Sequence, residues 1–145
     1  MTELFPSIQP EIEESTVEQL PMAKEVAWDF TSGIPIYSGG RPVIVTEAEA
    51  VKVWCWRALK TARFRHDIYT WDYGCEVESL VGRPFTDQVK ESEAVRYVRE
   101  ALKPNPYIKD VRQVDVTFRD TTLTISCTVT TIYGEVSIDG CDITL

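Results

Sequence analysis

Leu123-Thr124-Ile125-Ser126-Cys127-Thr128-Val129-Thr130 alternates apolar and hydroxyl side chains over eight residues without a break. A period of two puts every apolar member on one face, so the stretch predicts a strand with one side in a core and the other in water. Working outward, Val114, Val116 and Phe118 alternate with Asp115, Thr117 and Arg119, and Asp120-Thr121 supplies a turn. On the other side Tyr133-Gly134 breaks the pattern and Val136 and Ile138 resume it, with Asp139-Gly140 leading into a short tail. Three strands joined by tight turns form an antiparallel β-meander whose outer face is polar but rich in threonine.

The period changes upstream. Thr86 or Asp87 caps a helix with the stripe Glu91, Ala94, Val95, Val98, Ala101 and Leu102, which stops at Pro104. Pro104-Asn105-Pro106 is a stiff extended connector, because a residue before proline is driven out of helical backbone angles. Cys75 to Val81 predicts a shorter helix, with Gly82 after its end and Pro84 preventing continuation. Thr46-Glu47-Ala48-Glu49 has the spacing of a capping box, in which hydroxyl and carboxylate each meet the other's backbone amide. The helix behind it carries Val51, Trp54, Cys55, Ala58, Leu59 and Ala62 on one face. Val26 to Phe30 predicts a strand, and Ile34 to Tyr37 a returning edge strand in which Pro35 is tolerated. The expectation is an α+β fold: an N-terminal strand or hairpin, about three helices, and a C-terminal antiparallel β-meander packed against them.

Charge divides the chain. Residues 1 to 30 hold seven acids and one base, a net −6, which leaves −2 of the total −8 for the remaining 115 residues. With Pro6, Pro10 and Pro21 and few large apolar groups, residues 1–25 are expected to be an acidic, extended leader, and residues 26–145 one domain. A nearly neutral body lacks the basic field that nucleic-acid binding needs. No apolar run approaches the roughly 20 residues of a membrane span, and the first residues lack the charged and apolar regions of a secretory signal. Cys55, Cys75, Cys127 and Cys141 show no C-x-x-C pair and no histidine at ligand spacing, so buried reduced thiols are expected, with no metal and no cofactor.

Chemistry-bearing residues are sparse. The single histidine, His66, stands in Arg63-Phe64-Arg65-His66-Asp67, and neighbours in sequence on a regular element rarely face each other. Asp72, Glu76 and Glu78 follow Trp71 closely and keep open a glycoside hydrolase using two carboxylates. The polar side of the Thr46 helix presents Lys52, Arg57, Lys60 and Arg63, with Arg65 just beyond and no acid between Glu49 and Asp67. That side is either a solvated face or a docking face for an acidic partner, the chain's own leader included. Trp28 and Trp54 fall on apolar faces, whereas Trp56 and Trp71 lie outside the core periodicity. Those two are candidate interface anchors, although a second packing face would also use Trp56.

The helix end Leu59-Lys60-Thr61-Ala62-Arg63, followed by Asp72-Tyr73-Gly74 and a short helix, resembles a stretch of the baseplate wedge proteins of contractile phage tails. These are the sheath initiators, a family once labelled lysozyme-like, with relatives in type VI secretion baseplates and R-type bacteriocins. Ala101 to Val111 occupies the place of that family's Glu-Pro-Arg signature, between the last helix and the meander. The acidic leader and the Trp28-Asp29-Phe30 strand are similar to its Gram-positive prophage branch, and the resemblance covers residues 26 to 145. Two departures stand out. The helix end lacks the family's glycine and its second acidic-basic pair. Asn105 and Tyr107 replace the signature glutamate and arginine, leaving Pro106, so an amide and a phenol stand where an ion pair would be.

What the resemblance implies is a structural, non-enzymatic subunit of a contractile tail baseplate. It would be assembled in the bacterial cytoplasm into a virion or phage-tail-like particle. Implied partners are baseplate wedge proteins, tail tube or hub proteins and the first ring of sheath protein. Arg57, Lys60, Arg63, Arg65, Asn105, Pro106 and Tyr107 are the expected partner-binding residues. Leu123, Ile125, Cys127 and Val129 mark the strand expected to pair with sheath by β-augmentation. The alternative is the lysozyme-like hydrolase.

Overall fold

A computed structural model describes residues 20–61, 73–80, 86–119 and 122–144. It opens with six short strands: β1 (Lys24–Val26), β2 (Trp28–Asp29), β3 (Ile34–Pro35), β4 (Tyr37–Ser38), β5 (Arg41–Pro42) and β6 (Ile44–Thr46). Then come helix α1 (Glu47–Lys60), a 3₁₀ turn (Val77–Leu80), helix α2 (Asp87–Leu102), and three long strands, β7 (Ile108–Arg119), β8 (Thr122–Thr131) and β9 (Gly134–Thr144). The class is α+β, as expected. The third helix is a single 3₁₀ turn, and the described residues hold two α-helices.

The N-terminal hairpin is also more elaborate than expected. β1 pairs with β6, β2 with β3 and β4 with β5, all antiparallel. Where the three ladders meet, Ala27 N–H donates to the Val43 carbonyl (2.7 Å), Val43 N–H to Ile36 (3.0 Å) and Ile36 N–H to Ala27 (2.8 Å). This closed triangle of backbone bonds lets three two- or three-residue ladders branch from one point while their central amides stay satisfied. The β4–β5 turn is Gly39-Gly40, with φ of 57° and 77°. A two-residue hairpin turn of this hand needs left-handed backbone at both positions, which glycine supplies without steric cost. Lys24 and Glu25 belong to β1, so the expected leader boundary at residue 25 runs through a strand.

Helix α1 starts after Thr46 as expected, but without the capping box: the Thr46 side chain makes no capping hydrogen bond. Instead Glu47 adopts φ 57° and its amide donates to the Ala23 carbonyl at 2.9 Å. Pairing of Lys24 with Thr46 delivers that carbonyl to the helix entry, so a tertiary acceptor satisfies the first amide of the helix. At α2 the local rule holds, and the Thr86 side chain accepts from the Val89 amide.

β7, β8 and β9 form a sheet in that order, with β8 in the middle. Leu123, Ile125, Cys127 and Val129 all point inward from β8 and are buried. Val111 and Val116 join them from β7, and Ile138, Cys141 and Ile143 from β9. Two bulges keep these residues on one face. Val111 and Val116 are an odd number of residues apart, and the ladder slips between Arg112 and Asp115, where Gln113 has φ 53°. Ile138 and Cys141 are reconciled at Gly140, φ 65°. The segment after Gly140, expected to be a tail, therefore continues β9 to Thr144.

One core joins both halves. Helix α1 lies between the N-terminal strands and the sheet, touching β1, β6 and β9, while α2 packs on β7 and the 3₁₀ turn. Cys55, Leu59, Ala94, Val98 and Leu102 meet the inner face of the sheet. The α1 stripe is wider than its spacing suggests, because Val53 and Trp56 are buried as well.

Candidate interaction site

Asn105, Pro106 and Tyr107 form a folded turn rather than an extended connector. The Asn105 side chain is 7% exposed, and its Oδ1 accepts the Tyr107 amide at 2.8 Å. Its backbone carbonyl takes the Ile108 amide (3.2 Å) and its own amide donates to Leu102 (3.3 Å). Proline on either side removes competing donors, and an amide side chain closes the turn by mimicking a backbone carbonyl. Tyr107 looks the other way: its hydroxyl donates to the Pro21 carbonyl at 2.6 Å. Tyr133, from the β8–β9 turn, stacks on Tyr107 with ring centroids 6.1 Å apart and planes 18° apart. The Tyr133 hydroxyl accepts the Ala23 amide at 3.1 Å. Two phenols thus clasp residues 21–23 across the start of α1, around a groove of ≈ 300 Å³ lined by Met22, Ala23, Ala50, Trp54, Asn105 and Tyr107 among others. Pro106 stays exposed.

The basic side of α1 is interleaved with aromatic rings. Lys52 Nζ lies 5.4 Å from the Phe30 centroid, the Arg57 guanidinium 5.2 Å from Trp28, and Lys60 Nζ 5.0 Å from Trp56. Arg57 also reaches Glu25 at 3.6 Å. Arg63, Arg65, His66, Trp71 and Asp72 lie outside the described residues, as do Ala62, Gly82, Pro84 and the Asp120-Thr121 turn. Trp56, offered as an interface anchor, is 5% exposed and packs 4.8 Å from Phe30, so it fills the second packing face. Its indole Nε1–H is buried with no acceptor among the described residues.

Leu123, Ile125, Cys127 and Val129 sit on a strand hydrogen-bonded on both sides, to β7 and to β9. Their side chains are in the core and their backbone is occupied, so the edges of this sheet, unpaired among the described residues, belong to β7 and β9. The reason is the connectivity of a meander, whose middle segment is always the central strand.

Chemical reactivity is low at the described positions. Burial pushes the Cys127 thiol up to about 11, with the Asp139 charge adding to it. Burial likewise raises Cys141 to about 12, against a small opposing pull from Lys60. Cys55 is raised further still by burial, so none is a thiolate nucleophile near neutrality. Asp29 moves the opposite way: the Ser32 hydroxyl, then the Ser32 and Thr31 amides, hold its carboxyl below the ordinary range. A general acid needs the reverse shift. Among the described residues no three His, Cys, Asp or Glu side chains converge as a metal site, and no helix is long and apolar enough to cross a membrane.

Sequence reasoning missed Tyr133 and the Pro21–Ala23 segment. An aromatic inside a hairpin turn was the available signal for Tyr133, but its partner is 110 residues away. It also missed Arg99, Lys103 and Lys109, which gather at the end of α2; the i,i+4 pair in the last turn was the signal there.

The family model described as "contractile injection system sheath initiator" matches residues 24–134, from the first residue of β1 to the first residue of β9. The phage-like element PBSX protein XkdS of Bacillus subtilis (strain 168) is 28% identical over 97 residues, covering 66% of this chain and 69% of that protein.

Proposed function

This chain belongs to the contractile injection system sheath initiator family, and we propose that it is a non-enzymatic baseplate subunit that joins wedge and tube or hub proteins and starts the sheath by strand pairing. The family gives the chain a structural role in a contractile tail, of the prophage kind to which its relative in the PBSX element belongs. The particle is a virion or a phage-tail-like assembly built in the bacterial cytoplasm. The hydrolase alternative has no support in that family and is set aside.

The carrying observation is the sheet whose two outer strands, β7 and β9, have no second partner strand among the described residues. Strand addition needs backbone donors and acceptors left free along an edge, together with pockets for alternate side chains. β7 is interrupted by two register shifts and carries Lys109, Asp110, Arg112, Asp115 and Arg119, the devices by which an edge repels a stray strand. β9 has a single irregularity, at Gly140, and an eleven-residue run. We assign sheath pairing to its outer edge. Wedge docking falls to the exposed Pro106 tip, held in shape by Asn105 and Tyr107, to the α1 cations Arg57 and Lys60, and to Arg63 and Arg65, which follow them in sequence.

In a strand, consecutive amides point to opposite edges. Of Val136→Pro and Ser137→Pro, one removes a bond to β8 and the other only a donor on the outer edge. The variant that keeps the wild-type melting temperature is expected to give tubes and baseplates without sheath. Normal contractile particles from that stable variant would end the strand-pairing assignment. Arg57→Glu with Lys60→Glu is expected to block incorporation into baseplates, and wild-type incorporation would remove the basic face from the docking surface.

A further inference from the structure

Arg99, Lys103 and Lys109 surround a depression of ≈ 210 Å³ between the end of α2 and the start of β7, with Ile108 and Val111 in its lining. All three cations are exposed. Their charged neighbours are engaged elsewhere: Asp110 accepts the Val111 amide and faces Arg112 at 3.8 Å, and Glu100 takes Arg96 at 3.0 Å. Among the described residues no carboxylate pairs with the three. Lys103, just past the last turn of α2, gains from the helix dipole, but Lys109 stands on a strand and gains nothing from it. The lining thus holds three cations and one carboxylate, Asp110, which faces Arg112, and in a chain of net charge −8 that surplus of positive charge over Ile108 and Val111 suits an acidic ligand.

The chain carries such a ligand. Residues 1–19, outside the described part, contain Glu3, Glu11, Glu13, Glu14 and Glu18, no lysine or arginine, and the apolar residues Ile8, Ile12 and Val17. Followed backward, the entry segment passes Glu25 at Arg57, then Ala23 at the Glu47 amide, then Pro21 at the Tyr107 hydroxyl. Pro21 is thus held at the loop whose next residues, Ile108 and Lys109, line the depression. At about 3.5 Å per residue, Glu18 lies within roughly 10 Å of chain from Pro21, and Glu11 within roughly 35 Å. A tethered ligand this close has a local concentration of order millimolar.

We propose that the Arg99–Lys103–Lys109 depression is the docking site of this chain's own acidic leader. Carboxylates between Glu11 and Glu18 meet the three cations, and an apolar leader side chain rests on Ile108 and Val111. The α1 cations are the competing place for these acids. There Arg57 already holds Glu25, Lys52 and Lys60 lie over rings, and Pro21 is held at Tyr107 instead. The inference does not depend on the baseplate reading.

The test uses the full-length protein carrying Ser15→Cys and a nitroxide label, which the four buried native cysteines leave selective. Amide signals of Lys103, Lys109 and Val111 are expected to lose intensity at low salt. They should recover in Lys103→Gln with Lys109→Gln, a pair that keeps the helix and strand, and in about 0.5 M NaCl, where the screening length falls to a few ångströms. Lys52→Gln with Lys60→Gln should leave the loss in place. No loss at these amides, or loss centred on Lys52 and Lys60, overturns the proposal. So does loss seen only when labelled chains are mixed with isotope-labelled unmodified ones, which would assign the leader to a second copy.

Discussion

Removing one oxygen atom, in Tyr133→Phe, separates the clasp on the entry segment from the rest of the fold. The phenol accepts the Ala23 amide at 3.1 Å, and Ala23 is only 8% exposed, so phenylalanine leaves a buried donor unpaired. Such an orphan costs about 1–3 kcal/mol, whereas the stacked ring on Tyr107 is retained. The cost falls locally, because residues 21–23 can lift away without unfolding the core. The Ala23 amide is then expected to exchange with solvent about 5- to 140-fold faster, at 1.4 kcal/mol per factor of ten. Tyr107→Phe gives up the bond to Pro21 and costs about 0.5–1.5 kcal/mol. The double variant should cost less than the sum, since one lifting event breaks both bonds. Residue-resolved hydrogen exchange with a parallel thermal melt is the assay. Unchanged protection at Ala23, or a fall in global stability as large as a core truncation, would refute the clasp.

Three further outcomes follow from the geometry. Ile125→Ala, fully buried on the middle strand, should lower stability by about 2–5 kcal/mol in urea titration, while Thr124→Ala on the outer face, losing an exposed bond to Asp142, should stay within about 0.5 kcal/mol. Arg57→Ala loses a part-exposed ion pair and a ring contact, and should cost no more than about 1.5 kcal/mol, with part of the loss disappearing at high salt. Folded Cys127 and Cys141 hold their protons to about 11 and 12, above the ordinary 9.0, so the unfolded chain ionises first on raising pH. Their contribution is complete below pH 9 and is lost on going up to 11 or 12, at most about 1.4 kcal/mol per pH unit per thiol. Denaturation midpoints that do not fall across that window would contradict the burial of these thiols.

Some residues were legible because their chemistry is local. The alternation from Leu123 to Thr130 fixes which side chains face inward whatever the rest of the chain does, and those four apolar residues are in the core. On α2, Ala94, Val98, Ala101 and Leu102 are buried as their spacing indicates, whereas Glu91 of the expected stripe is exposed, and of Thr86 and Asp87 the cap is Thr86. The capping box at Thr46 failed because a strand 20 residues earlier brought a better-placed carbonyl. Of the two readings open for Trp56, the structure shows the second packing face, because α1 is packed on two sides and its stripe is wider than one face. The bulges at Gln113 and Gly140 escaped notice since a register slip shows only against a partner strand.

By itself, then, the sequence determined the α+β class, the inward set of the middle strand β8, the Thr86 cap and the division of charge along the chain. These depend on periods of two and 3.6 and on residues within one turn of each other. Tertiary structure alone decided where β7 and β9 slip register, at Gln113 and Gly140, and so which of their residues face the core. It also decided that Tyr107 and Tyr133 hold Pro21 and Ala23, and that Arg99, Lys103 and Lys109 converge. Those are distances between residues far apart in the chain, and no local preference specifies them.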